Sequence, residues 1–384
     1  MTKIESICKP ERCTGCGACQ QSCPKGAISL VYNHDGFYHP QINSNLCVGC
    51  ERCISVCQAN QKVPSSRTIK AFIGCQKENS GNNCTSGGIA DALAKTAIKS
   101  GGIVYGAAFG PGFKTVHHIR VSKESDLKEI QGSKYLQSEN NDSFQMVKRD
   151  LLEGRDVLFI GTPCQIAGLR LFLGIDFEKL VTVDLMCHGV MSTKVFCLFL
   201  EEIGAKNISS INFREKTTGY NMDCRLKIAF DNGKEWSRPF YGSSIGSGYA
   251  NNLLSRESCF KCRFSSLYRV GDLSLADYME TDIDPVFRTN GCTALLVNST
   301  KGLSFLRRCS KTILIQEKDL SCFKNFRHFS TAPIENKNRK KVLRLIDRLG
   351  YEKVSEKYFA NFVPKLTLIQ SLKAIVKRIV RRTK

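Results

Sequence analysis

Residues 13–24 read CTGCGACQQSCP and residues 47–57 read CVGCERCISVC. Both carry the spacing CxxCxxCxxxC. Each cysteine of the second run stands 34 positions after its counterpart: 13 to 47, 16 to 50, 19 to 53, 23 to 57. A fixed offset of this kind marks a duplicated structural unit. Three thiolates spaced by two residues fit three corners of an iron–sulfur cubane, and the fourth corner needs chain arriving from elsewhere. Pro24 completes the CxxCxxCxxxCP pattern of paired [4Fe–4S] centres, in which the fourth cysteine of one run ligates the other cluster. That crossing assigns Cys13, Cys16, Cys19 and Cys57 to a first cluster, and Cys47, Cys50, Cys53 and Cys23 to a second. Gly15, Gly17 and Gly49 leave the backbone free to close around the sulfides. Zinc or disulfides are the alternatives, but zinc takes two CxxC pairs or Cys/His mixtures, and two four-cysteine runs exceed its needs.

Residues 1–63 therefore read as a two-cluster ferredoxin-like domain, and the chain as one that moves electrons. The 384 residues suffice for two or three domains with a substantial core. No secretory signal pattern and no run of eighteen apolar residues is seen, so the twenty cysteines are expected in a reducing cytoplasm. The net charge of +21 is partly offset by thiolate ligation and partly gathered in a basic helical tail, residues 334–384. There Leu368, Leu372, Ile375, Val376, Ile379 and Val380 recur at helical spacing among Lys373, Lys377, Arg378, Arg381, Arg382 and Lys384. Such a helix docks on its own domain with a solvated basic face, or lies on an anionic membrane surface. Nucleic acid is not expected as a partner, because no stacking or groove-reading motif accompanies the charge.

Between these ends the pattern alternates. A region at 68–145 contains a helix from Gly88 to Lys99 and strands Ile103–Phe109 and Val116–Val121. A second, 146–325, follows helix Phe144–Glu153 with strand Asp156–Ile160, helix Gln165–Leu173, strand Leu180–Met186 and helix Lys194–Ile203. This rhythm predicts an α/β domain with a partly parallel sheet. Asn232-Gly233 predicts a hairpin between Cys224–Phe230 and Glu235–Phe240.

Two features outside the first domain carry chemistry. Thr85, Ser86, Gly87 and Gly88 open a helix, where backbone N–H groups and the helix dipole favour a phosphate, although Ser and Thr are also ordinary caps. Cys164 and Cys187 follow strands, at the sheet rim where α/β folds bind ligands, and Cys259 and Cys262 form a pair. Together these are four thiolates, enough for a third cubane. Burial as small apolar side chains, or a zinc site that includes His188, accounts for the same spacing. The other cysteines, Cys8 among them, show no ligand spacing.

The stretches CTSGGIADAL (84–93), GTPCQIAGLR (161–170), DLMCHGV (184–190), SCFKCRF (258–264) and GDLSLADYM (271–279) together resemble the family of coenzyme F420 hydrogenase/dehydrogenase beta subunits. The resemblance covers roughly residues 75 to 320, with the motifs in the family's order. It implies an α+β chain: a two-cluster ferredoxin-like domain followed by an α/β flavin-binding domain. It further implies FAD and a third [4Fe–4S] cluster held by Cys164, Cys187, Cys259 and Cys262. Thr85 to Gly88 become contacts of a flavin phosphate, and His188 a candidate for proton transfer beside the flavin. The function implied is an iron–sulfur flavoprotein oxidoreductase. Its electron donor is a redox partner protein, a ferredoxin or an oxidoreductase subunit, and its acceptor a small organic molecule. Bacterial members of this build are often met in surface-polysaccharide gene clusters. No residue specifies F420, and no GxGxxG fingerprint supports nicotinamide on a Rossmann unit. The rival readings are a non-catalytic electron-transfer subunit of a larger complex and a binding protein with structural clusters.

Overall fold

The computed structural model describes residues 6–77, 84–216, 224–280, 283–323, 326 and 329–359. The tail expected from Leu368 onward lies outside them.

The duplicated sequence produces a duplicated backbone. Gly15 and Gly49 both take left-handed conformations (φ 65° and 69°), as do Gly17 and Glu51 (80° and 60°), two pairs separated by the repeat offset. The left-handed Gly17 and Glu51 each start a short helix, Ala18–Ser22 and Arg52–Ser55. A hairpin of Ile28–Tyr32 with Tyr38–Ile42 links the halves, and Ile7, Ile28 and Cys53 form the centre of a small core.

The rest of the chain is built on a nine-stranded sheet. Its spatial order is Ile313–Lys318, Lys70–Gln76, Thr293–Val297, Leu273–Asp277, Leu180–Leu185, Val157–Gly161, Ile103–Phe109, Val116–Val121 and Ser138–Glu139. The four central strands from Leu273–Asp277 to Ile103–Phe109 run parallel, and they are the near-continuous apolar runs that two-sided burial requires. Alternate side chains serve the two faces. Val104, Leu158 and Val183 meet helices Ile89–Lys99 and Thr300–Arg308 on one side. Ile103, Tyr105, Val157 and Phe159 meet helices Ser143–Leu152 and Pro163–Leu173 on the other. Ala18 of the first domain enters this second layer, so the ferredoxin-like module docks directly on the helices that cover the sheet.

The expected hairpin pairs Cys224–Phe230 with Glu235–Pro239, and Ile208–Lys216 adds a third strand. This small sheet packs with Thr193–Glu202, Ser244–Ala250 and the helices Arg339–Leu349 and Tyr351–Tyr358 around Phe196, Phe213 and Phe240. Val342, Leu343 and Ile346 bury one face of the basic Arg339–Leu349 helix in the chain's own core. Two helix starts differ from the sequence reading for a physical reason. Helix Pro163–Leu173 begins two residues earlier than expected, because Thr162 and Gln165 form a capping box and Pro163 suits the first turn. Ser192 caps helix Thr193–Glu202 by accepting from the Val195 N–H. Among the described residues no helix is long and apolar enough to cross a membrane.

Candidate functional site

The structure brings together thiols from both cysteine runs. A small cavity is lined by Cys13, Cys16, Cys19 and Cys57. Burial pushes the Cys16 thiol up to about 12, and the neighbouring charges of Cys164, Cys13 and Cys57 add to the shift. Cys53 is raised first by burial and then by Cys50 and Cys23, the partners expected from the second set. Cys8, set aside in the sequence for want of spacing, lies within hydrogen-bonding reach of Cys13 and Cys57 and lines the same cavity. It keeps its own proton and lowers both neighbours, Cys57 to about 7. Its place depends on a tertiary contact 49 residues along the chain from Cys57 to Cys8, which no local spacing encodes.

The sheet's parallel strands open on a cleft of about 1230 Å³. That exceeds the common range for small-ligand pockets and has room for a dinucleotide. It lies at the carboxyl ends of Val157–Gly161, Leu180–Leu185 and Leu273–Asp277, the edge where open α/β sheets bind ligands. Cys164 and Cys187 follow the first two of these strands, and Cys259 and Cys262 come from the turn Glu257–Lys261 and the residue after it. All four line the cleft together. Burial raises Cys164, Cys187 and Cys259, the last to about 12, and each of the three also feels Cys262. Among the described residues no three His, Cys, Asp or Glu side chains converge closely enough for a single metal ion. A cubane, whose four irons each take one thiolate, asks for the wider spread. His188, the partner of Cys259 and Cys262 in the zinc alternative, faces Asn252 Oδ1 through Nε2 at 2.9 Å and meets Tyr249 edge-on at 5.4 Å.

Farther along the cleft are Thr85, Ser86 and Gly88, followed by Ile89, Ala90 and Asp91 of the first helical turn. Gly88, in the left-handed region, stands at the cap position, so no cap side chain accepts from the first N–H groups. Asp91 would repel an anion there, but Lys95 at 2.8 Å, Gln76 at 2.6 Å and Gln131 at 2.7 Å hold its charge. Ser86 donates to the Cys292 carbonyl at 2.6 Å. Gly87 donates to Thr293 Oγ1 at 2.8 Å and is absent from the cleft lining. Of the four expected contacts, Thr85 and Gly88 are thus the better placed toward a ligand; Ser86 and Gly87 brace the turn.

Several lining groups were not expected. Arg214 pairs with Asp277, which ends a central strand. Outside the lining, Lys216 reaches the Ser86 carbonyl. Lys134 donates to the Gln131 carbonyl at 2.8 Å, and enclosure by the cleft walls pushes it down to about 7. His118 is buried against Phe159, and burial pushes it down to about 4. It is therefore neutral: Nε2 donates to the Ile160 carbonyl at 3.0 Å and Nδ1 accepts from Ser138 Oγ at 2.8 Å. Its folded value lies below the unfolded value of about 6.5, so the unfolded chain binds the extra proton first. Stability is present above about 6.5 and is lost as pH falls toward 4, by on the order of 3 kcal/mol. Denaturant unfolding at pH 7 and 4.5 should show this loss in the wild type and less of it in His118→Gln, which keeps the donor to Ile160.

The ferredoxin-like module joins this site through its first cysteine set. Asn140 donates to the Cys16 carbonyl at 2.7 Å, Gln137 to the Thr14 carbonyl at 2.9 Å, and Arg263 to the Gln58 carbonyl at 2.9 Å. Gly168 lies one helical turn after Cys164, on the same face. A Cβ placed on it would stand 2.9 Å from Cys16 Sγ. The second set lies farther out, with Cys50 exposed.

Residues 154–323 match the family model for the C terminus of the coenzyme F420 hydrogenase/dehydrogenase beta subunit, and residues 12–61 match the 4Fe-4S dicluster domain. One subunit of the F(420)H(2) dehydrogenase of Methanosarcina mazei is 26% identical over 253 residues, 61% of this chain and 66% of that protein. Ferredoxin-type protein NapF of Escherichia coli is 39% identical over 54 residues, 14% of this chain and 33% of its own length. This chain thus spans just under two thirds of the first relative and a third of the second. The structure of the F420-reducing [NiFe] hydrogenase complex from Methanosarcina barkeri aligns over 76% of this chain and 92% of its own. Its TM-score of 0.47 at 17% identity is too loose to carry an argument. Both matches stand in the order of the motifs: residues 154–323 are similar to the C terminus of coenzyme F420 hydrogenase/dehydrogenase beta subunits, and an N-terminal 4Fe–4S dicluster domain precedes them.

Proposed function

We propose that this iron–sulfur protein is a flavin-dependent oxidoreductase with three [4Fe–4S] clusters, reducing or oxidising a small organic substrate in the cleft. The observation that carries the reading is the spatial order of the cysteine sets. In the set Cys23, Cys47, Cys50 and Cys53, Cys50 is exposed to solvent. In the set Cys13, Cys16, Cys19 and Cys57, Cys16 stands close against the helix that carries Cys164. Cys164, Cys187, Cys259 and Cys262 open into the cleft. That order suits entry of single electrons from a redox partner protein at the exposed end. FAD bound in the cleft would supply the exchange between one- and two-electron chemistry. The uncovered helix start at Gly88 offers N–H groups to its phosphates. The Arg214–Asp277 pair and Lys134 present polar groups on the cleft wall, and His188, held by Asn252, is placed to move a proton there. The family's association with surface polysaccharides makes a sugar-linked intermediate the first class of substrate to screen.

Iron and acid-released flavin measured on one anaerobic preparation test the reading. About twelve irons and one FAD per chain are expected. About eight irons without flavin would overturn it in favour of an electron-carrying subunit.

A further inference from the structure

Arg256 is 2% exposed and sits where the ferredoxin-like module meets the cleft. Its guanidinium is fully engaged. Nε donates to the Cys13 carbonyl at 2.7 Å, Nη1 to Gln137 Oε1 at 2.9 Å and Nη2 to the Tyr38 carbonyl at 2.6 Å; His39 Nε2 lies 3.2 Å from Nη2. The plane lies over the Phe37 ring at 5.7 Å. The three acceptors are carbonyl or amide oxygens. Among the described residues no carboxylate lies within ion-pair distance of Arg256, unlike Arg269 with Asp184 or Arg214 with Asp277. A guanidinium does not discharge in a protein. A buried cation without an anion is costly, so the fold implies negative charge nearby that the side-chain carboxylates do not provide. The cysteines of two sets surround it: Nε holds the Cys13 carbonyl of the first, its own carbonyl accepts from the Cys259 N–H of the third at 3.1 Å, and it lines the cleft together with Cys164 and Cys262.

We propose that Arg256 is the shared counter-ion of the first and third iron–sulfur centres, a positioning residue that fixes their relative placement and makes both easier to reduce. The proposal rests on the three-cluster reading above. Thiolate-ligated cubanes are anions, and each reduction adds one negative charge. A fixed cation in a low-dielectric interior favours the reduced form of both centres. Among the described residues Arg256 makes no hydrogen bond to the second cysteine set. Arg256 thus biases electrons inward, away from the exposed end. Gly15 keeps the place open: with φ at 65°, a Cβ there would stand 3.2 Å from Arg256 Nη1 and would collide with Gln137.

Potentiometric titration of anaerobic full-length protein, followed by electron paramagnetic resonance, tests the proposal. Wild-type protein is measured beside Arg256→Met, Arg256→Gln and Arg256→Lys. In both uncharged variants the first and third centres should become harder to reduce by tenfold or more, about 59 mV for a one-electron step, with the second unmoved. Arg256→Lys should hold the potentials near wild type and lower thermal stability, because a lysine cannot reach all of these partners. Unchanged potentials in a loaded uncharged variant, or equal shifts at all three centres, would overturn the proposal while leaving the three-cluster reading intact. Loss of clusters from Arg256→Lys as well as from both uncharged variants would overturn the charge argument. Only two reducible centres in wild-type protein would overturn both.

Discussion

Gly168→Ala is expected to destabilise the protein, although the same change in an ordinary helix interior stabilises by roughly 0.5–1 kcal/mol. The new methyl group would stand 2.9 Å from Cys16 Sγ, 3.2 Å from Cys16 Cβ and 3.5 Å from Ala18 Cβ. If Cys16 ligates a cluster, its sulfur is pinned and cannot yield as a flexible side-chain end would. Overpacking of this kind costs about 1–3 kcal/mol, which outweighs the gain in propensity. Gly168→Val adds more bulk and a β-branched side chain, so its loss should be larger. The effect is diagnostic because it should depend on iron. Thermal unfolding of loaded protein should fall in the order wild type, Gly168→Ala, Gly168→Val, with slower electron exchange between the first and third centres by rapid-freeze spectroscopy. An alanine variant more stable than wild type would show that Cys16 moves freely, and the close approach of the two sets would lose its meaning.

The second large effect concerns Arg269→Met. Arg269 and Asp184 are buried together, with Nη2 to Oδ1 at 2.6 Å, Nε to Oδ1 at 3.2 Å and the Gly271 N–H to Oδ2 at 2.8 Å. The same guanidinium donates to the Phe264 and Ser266 carbonyls at 2.9 and 3.1 Å, pinning the segment that follows Cys262 to the end of strand Leu180–Leu185. Removing the cation strands a carboxylate with 0% exposure, at a cost of about 3–5 kcal/mol. Denaturant unfolding should register that loss, and iron content should fall as Cys262 is freed from its anchor. Asp184→Leu combined with Arg269→Met should recover much of the stability, because replacing a whole buried pair is often neutral. It should recover less of the iron, since the donors to Phe264 and Ser266 remain absent. A single variant as stable as wild type would refute the account.

The contrast between Cys57 and Arg256 shows what was legible in the sequence. Cys57 belongs with Cys13, Cys16 and Cys19 by a rule of cluster ligation written into the repeat, and the structure lines one cavity with all four. The central strands announced themselves as apolar runs ending in Gly161 or before Cys187, and the cleft lies at those ends. Arg256 sits beside a recognisable cysteine pair, yet its meaning depends on a contact to Cys13 across 243 residues and on the absence of a carboxylate partner. No local pattern records either fact. Gly168 is similar: within a helix it reads as a weak former, and only the docked module explains it. Lys134 and Arg214 became visible once the loop after Gly132 and the added strand Ile208–Lys216 folded against the cleft. Thr162-Pro163-Cys164-Gln165 was a different case, a capping box present in the sequence that the helix periodicity alone passed over.

The unequal burial of the two repeat halves also bears on how the protein fails. Cys13 is buried and its repeat counterpart Cys47 partly open, Cys50 is exposed where Cys16 is partly covered, and only Cys53, buried against a partly open Cys19, runs the other way. With clusters in both sets, dioxygen and chelators reach the outer one first, and the docking of the module shields its twin. Damage in air therefore proceeds from the outside inward. A preparation handled aerobically would lose its electron entry point while the inner centres still gave a signal, and would pass for an intact enzyme that no donor can reduce.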